Sequence, residues 1–116
     1  MTKEFIENWL ENLKIYWLNK DIDNIINIFK NTTYYQESPF IKPYTNIKEI
    51  EKEWLSIKNI NIQELTLKVL SINNNIAIIN WHLLQDNKEY DGIYEIKFNE
   101  KLECIYFKSW CEENDS

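Results

Sequence analysis

Apolar and polar positions alternate most regularly near the C-terminus, between Lys88 and Trp110. Tyr94, Ile96 and Phe98 share one face of a predicted strand, and Glu95 and Lys97 the other. A following run places Leu102, Cys104, Tyr106, Lys108 and Trp110 on one face and Ile105, Phe107 and Ser109 on the opposite one. Asn99-Glu100 joins the two runs as a short polar turn, with an Asn that tolerates the left-handed conformation. Neither face of the last strand is plainly polar, so it requires a cover on both sides.

Upstream, the period changes to that of helices. Ile6, Leu10, Leu13 and Trp17 form one stripe, widened by Phe5, Trp9 and Tyr16, which predicts a helix from about Thr2 to Leu18. Asp21 is the expected N-cap of a second helix carrying Ile22, Ile25, Ile26 and Phe29. Asn31 to Glu37 is rich in β-branched and aromatic residues and reads as a short strand. A loop bounded by Pro39 and Pro43 follows, with Phe40 and Ile41 inside it. Asn46 and Glu49 form a variant capping box before a third helix with Ile47, Ile50, Trp54 and Ile57.

Asn59 to Ile72 reads as a long strand whose phase flips between Ile62 and Leu65, so a bulge is expected near Gln63-Glu64. Turns follow at Asn73-Asn74 and Asp86-Asn87, on either side of an apolar strand that contains Trp81 and His82. The polar tail from Glu112 is expected to fray. This order predicts one α+β domain over residues 1–116. Three N-terminal helices pack on a strongly curved antiparallel sheet that forms a cone. The mouth of such a cone is a natural small-molecule pocket.

Composition narrows the function more than the fold. The chain is 44% hydrophobic and 15% aromatic with five Trp, ample for a packed core. The net charge is −6, and none of its thirteen basic residues is Arg, which argues against nucleic acid. One Gly and two Pro leave no Gly-rich phosphate loop. No apolar run is long enough to span a membrane, and the N-terminus lacks a signal-peptide pattern. Cys104 and Cys111 fall on opposite faces of an unbroken strand and should not pair, which suggests a reduced, cytoplasmic protein. One His and two strand Cys make no metal set, no cofactor is expected, and Ser38 lacks the context of a hydrolase elbow.

Three pieces of the chain carry a resemblance. They are Tyr16 to Asp21 with Phe29, Tyr35 to Phe40, and Asp91 to Phe98 followed by Phe107 and Trp110. In their order they are similar to the nuclear transport factor two-like superfamily, of cystatin-like architecture, in its SnoaL-like (polyketide cyclase-like) branch. The resemblance implies the cone fold but no single activity, since the superfamily holds isomerases, dehydratases, cyclases, epoxide hydrolases and binding proteins. Its ketosteroid isomerases place a base where this chain has Ser38, with Glu37 one residue earlier. Their oxyanion Tyr falls near Leu13 and their protonated Asp at Tyr94, so that activity is disfavoured. The dehydratase His and Asp pairs find no match, because His82 is the only His. The superfamily commonly dimerises through the convex side of the sheet, and Ile105 and Phe107 need a cover there, so a homodimer is expected.

The candidate catalytic residues are Glu37, His82 and Tyr94. Each has a plainer role open to it: a solvated strand end, a packed or surface histidine, and core packing. Tyr16, Phe40, Trp54, Tyr94 and Trp110 are the expected pocket wall, and Lys108 is either a pocket cation or a snorkelling edge residue. Three functions follow. One is a binding domain for a small, flat, apolar molecule. Another is a small enzyme acting on an apolar carbonyl or hydroxyl compound, and the third is a structural homodimer with a filled cone.

Overall fold

A computed structural model describes residues 1–115. Helix α1 spans Lys3–Leu18, α2 Ile22–Phe29 and α3 Ile47–Leu55, the last continued by a 3-10 turn over Ser56–Asn59. Strand β1 spans Tyr34–Gln36, β2 Ile62–Asn73, β3 Ile76–Gln85, β4 Lys88–Phe98 and β5 Cys104–Glu113. The helices begin where short polar side chains satisfy their free N–H groups. Thr2 Oγ1 accepts from Phe5 N at 3.1 Å, Asp21 Oδ1 from Asn24 N at 3.3 Å and Asn46 Oδ1 from Glu49 N at 3.0 Å. Glu49 reaches back, in a variant of the capping box, past the cap to the N–H of Thr45 at 3.2 Å.

The sheet order is β1-β5-β4-β3-β2. The four long strands form the expected antiparallel meander, and β1 adds to its edge in parallel with β5, so the sheet is mixed. It bends but does not close. The predicted bulge lies between Ile62 and Glu64, and a second irregularity lies between Val69 and Ser71. Asp86 and Asn87 both take left-handed conformations, φ 48° and 64°, as a tight two-residue hairpin demands.

The β4–β5 connection departs from the expected turn at Asn99-Glu100. It is a five-residue loop, with Leu102 left-handed at φ 61°. Asn99 Oδ1 organises it by accepting from the N–H groups of Lys101 and Glu103 at 3.0 and 2.9 Å. Directly after it the register slips. Lys97 pairs with Tyr106 and Phe98 with Cys104, which leaves Ile105 as an extra residue. Cys104, Phe107 and Ser109 are therefore all buried, while Trp110 is exposed. The assignment of faces in the sequence analysis is reversed from Tyr106 onward.

Two expectations change with that reversal. Cys104 and Cys111 lie on the same side of the sheet, at opposite ends of β5, and both thiols are free. Phe107 needs no partner chain, because Phe29 and Tyr35 cover it, each with ring centroids 5.1 Å away. The outer face instead carries Tyr106 and Trp110, each capped by a lysine: Lys97 at 4.3 Å and Lys108 at 4.6 Å from the ring centres. Lys108 is thus an outer-face residue. The tail is also held, since Asn114 N donates to Glu89 O at 2.8 Å.

The core lies between the helices and the concave face. Ile6, Leu10, Leu13, Ile25, Phe29 and Ile50 from the helices meet Ala77, Ile79, Ile96 and Phe98 from the sheet, all at most 3% exposed. Burying each large apolar side chain contributes about 1.5–3 kcal/mol. Phe5 and Trp9 meet Phe98 edge-on at 5.4 Å and close the end of the concavity beneath α1. No helix among the described residues is long and apolar enough to cross a membrane.

Candidate functional site

The other end of the concavity stays open. There Trp81, Leu83, Tyr90, Tyr94, Ser109 and Cys111 form the floor on β3, β4 and β5. Trp17 of α1, with Glu53, Trp54 and Ile57 of α3 and its extension, forms the roof. Tyr35 and Glu37, on and just after β1, form the side wall. Together they enclose a cleft of about 250 Å³.

Local sequence rules explain why the rings stand where they do. Trp81 shares the inward parity of Ala77, Ile79 and Leu83 along β3. Its strand neighbour across the ladder is Gly92, which pairs also with Cys111. A Cβ at Gly92 would lie 2.9 Å from Trp81 Cε2 and 2.0 Å from the carbonyl oxygen of Trp110. The glycine is what lets the indole lie down on the sheet. Trp81 then stacks on Tyr94, centroids 5.1 Å apart and planes within 13°. In the roof, Trp17 and Trp54 meet edge-to-face at 4.9 Å.

Polar groups in this wall are poorly served. The indole N–H groups of Trp17, Trp54 and Trp81 are buried without a hydrogen-bond partner. An unsatisfied buried donor costs on the order of 1–3 kcal/mol. Glu37 is half-buried, and its carboxyl is pushed from the ordinary 4.5 up to about 7. Lost hydration is the main cause, the nearby charge of Glu53 adds to it, and a hydrogen bond with Tyr35 opposes it. Burial lifts the Tyr35 and Tyr94 hydroxyls well above their usual range, so both remain protonated donors. Glu53 accepts from the Tyr44 hydroxyl at 3.0 Å. The chemistry available at the site is a carboxyl that titrates near neutrality, flanked by phenol donors and ring faces.

The structure brings together three of the sequence-predicted residues, Glu37, Trp54 and Tyr94. The others lie elsewhere. Tyr16 is half-buried on α1 outside the cleft, and its neighbour Trp17 takes the position in the roof. Phe40 is fully exposed at the tip of its loop. Gln36 Nε2 donates to Ile41 O at 2.8 Å and Ile41 N to Ser38 O at 3.2 Å, a tight turn that throws the left-handed Phe40 outward. Trp110 is on the outer face because of the extra residue at Ile105.

His82 is also on the outer face, opposite Thr66 and Asp91, and contacts Glu89 at 2.7 Å. Hydrogen bonds from Asn114 and then from His82 hold the Glu89 carboxyl below its usual range. Of the wall residues missed from the sequence, Trp17 and Trp81 were legible as members of the inward stripes. Glu53 was not, since nothing local marks a helix glutamate as facing a cleft. Among the described residues no group of His, Cys, Asp and Glu converges to hold a metal ion.

No family model and no curated protein matches the chain. Solved structures do. A nuclear transport factor two-like protein of unknown function from Burkholderia xenovorans superposes with a TM-score of 0.71, covering 98% of this chain and 88% of its own, at 8% identity. A steroid delta-isomerase from Pseudomonas aeruginosa does so at 0.65, covering 97% and 82%, at 10% identity. A SnoaL-like protein from Shewanella putrefaciens does so at 0.64, covering 96% and 91%, at 8% identity. At such identities the likeness is one of fold.

Proposed function

From the nuclear transport factor two-like fold that this chain has, we propose that it is a small-molecule-binding domain whose ligand occupies the cleft between α1, α3 and the sheet. The observation that carries this reading is the contrast between a filled aromatic core and a cleft of about 250 Å³ lined by Trp17, Trp54, Trp81 and Tyr94. Ring faces hold a ligand with little loss of side-chain freedom, and Tyr94 adds a hydroxyl.

A second reading, an acid–base enzyme, is favoured by one feature. The Glu37 carboxyl titrates at about 7, where a general base works best. In that reading the carboxylate takes a proton from the substrate while Tyr94 donates a hydrogen bond to its oxygen, and turnover rises with pH through about 7.

A thermal-shift screen of charged and neutral fragments tests the binding reading against Tyr94→Phe. The wild type is expected to gain several degrees with its best ligands and the variant less, with the two unliganded melting temperatures about equal. If no fragment shifts the wild type, the cleft is only unfilled core and the reading is wrong.

A further inference from the structure

Resting on the reading of the cleft as a binding site, we propose that its ligand is a small organic cation of the alkylammonium type. The cleft is lined by Tyr90 and three indoles, with Tyr35 and Tyr94 stacked on neighbouring rings in its wall and floor, and it includes Glu37 and Glu53. No lysine lines it, and the chain contains no arginine. Among the described residues the only ion pair is His82 with Glu89, on the opposite side of the sheet. The two carboxyl groups therefore face aromatic walls without a counter-charge.

The three unpartnered indole N–H groups need an acceptor, which a hydroxyl on the same cation supplies, and the other ligand classes fit less well. An anion would bring a third negative charge into a cleft that already crowds two, in a protein of net charge −6. A neutral apolar molecule would displace water from the carboxyl groups and give them no counter-charge. A metal ion needs several convergent oxygen ligands, and no such set exists among the described residues. A quaternary alkylammonium is weakly hydrated, is attracted to ring faces, and supplies the missing positive charge. The protein itself shows the pairing on its outer face, where Lys97 and Lys108 cap Tyr106 and Trp110. Inside the cleft the rings are present and the cations are not.

A consequence can be read in the pH dependence. The groups that face Glu37 are Tyr35 on β1, Glu53 on α3, Tyr94 on β4, Cys111 on β5 and Tyr44 in the loop between β1 and α3. The three phenols and the thiol are all shifted upward and stay neutral near pH 7. Glu37 is the group that changes charge there. Below about 7 it is protonated and attracts a cation less. Cation affinity therefore rises about tenfold from pH 6 to pH 8, and binding in the lower part of that range releases a proton.

The test is calorimetric titration of the whole chain with choline and with dimethylbutanol, its neutral carbon isostere. Choline is expected to bind at least tenfold tighter at pH 8 and to lose most of that preference at pH 6. Glu37→Gln should flatten the pH dependence. Glu53→Gln should move its midpoint to lower pH, because a like charge is removed. If the isostere binds as well as choline, the cleft binds small molecules but the cation inference is wrong. If neither binds while a neutral fragment does, the same conclusion holds. If nothing binds, the binding reading fails together with it.

Discussion

The two ends of the concavity are built from the same kind of residue and reach opposite outcomes. Beneath the N-terminal half of α1, Phe5, Trp9, Phe29 and Phe98 pack edge-to-face at 5.4 to 5.8 Å. Between the C-terminal end of α1, α3 and the sheet, the pairs Trp17–Trp54 and Trp81–Tyr94 are as close, yet a cleft remains beside them. The difference is the carboxyl of Glu37, with Glu53 beside it. A phenylalanine cluster gains from every contact it makes. A cluster that includes an ionisable carboxyl must keep that group wet or paired, so its rings cannot close over it. Aromatic content alone therefore does not separate a closed core from an open cleft; the polar groups among the rings do.

Phe29 should show the largest effect, since it touches both ends, stacking on Trp54 at 6.0 Å and meeting Trp9 at 5.8 Å. Phe29→Ala is expected to cost about 3–5 kcal/mol in denaturant unfolding. A loss under about 1 kcal/mol would break the view that the closed end supplies the stability.

Glu37→Gln should act in the opposite direction. The folded carboxyl holds its proton up to about 7, against an ordinary value of 4.5. As pH rises through that window the unfolded chain loses its proton first, so the fold loses stability, and the loss persists above it. Glutamine cannot ionise. The variant is expected to melt roughly 5 °C higher than the wild type at pH 8 and at the same temperature at pH 4. Equal melting at pH 8 would mean that the open end carries no strain from its carboxyl. The smallest effect belongs to the outer face. His82→Asn removes a pairing with an exposed glutamate, and exposed pairs contribute little. Its melting temperature and its fragment binding should match the wild type; lost binding would place a second site on that face.

Much of the scaffold is legible in the sequence. The caps at Thr2, Asp21 and Asn46, the bulge at Gln63 and the left-handed turn at Asp86-Asn87 depend on residues within a few positions of one another. Such features are decided locally, by which side chain can reach which backbone group and which residue tolerates a positive φ. The outward parity of His82 was also available, because it alternates with the inward-facing Trp81 and Leu83.

By itself the sequence therefore determined the element order, the helix boundaries and an α+β fold with a curved sheet. Only the tertiary structure decided which ring faces what. One extra residue at Ile105 turns Phe107 inward and Trp110 outward, because side chains alternate with a period of two and a slip of one exchanges the faces. The neutral-range carboxyl of Glu37 is equally non-local. It arises from lost hydration within walls drawn from several elements and from a glutamate on α3. No pattern along the chain encodes that proximity, since it exists only once the helices have docked on the sheet.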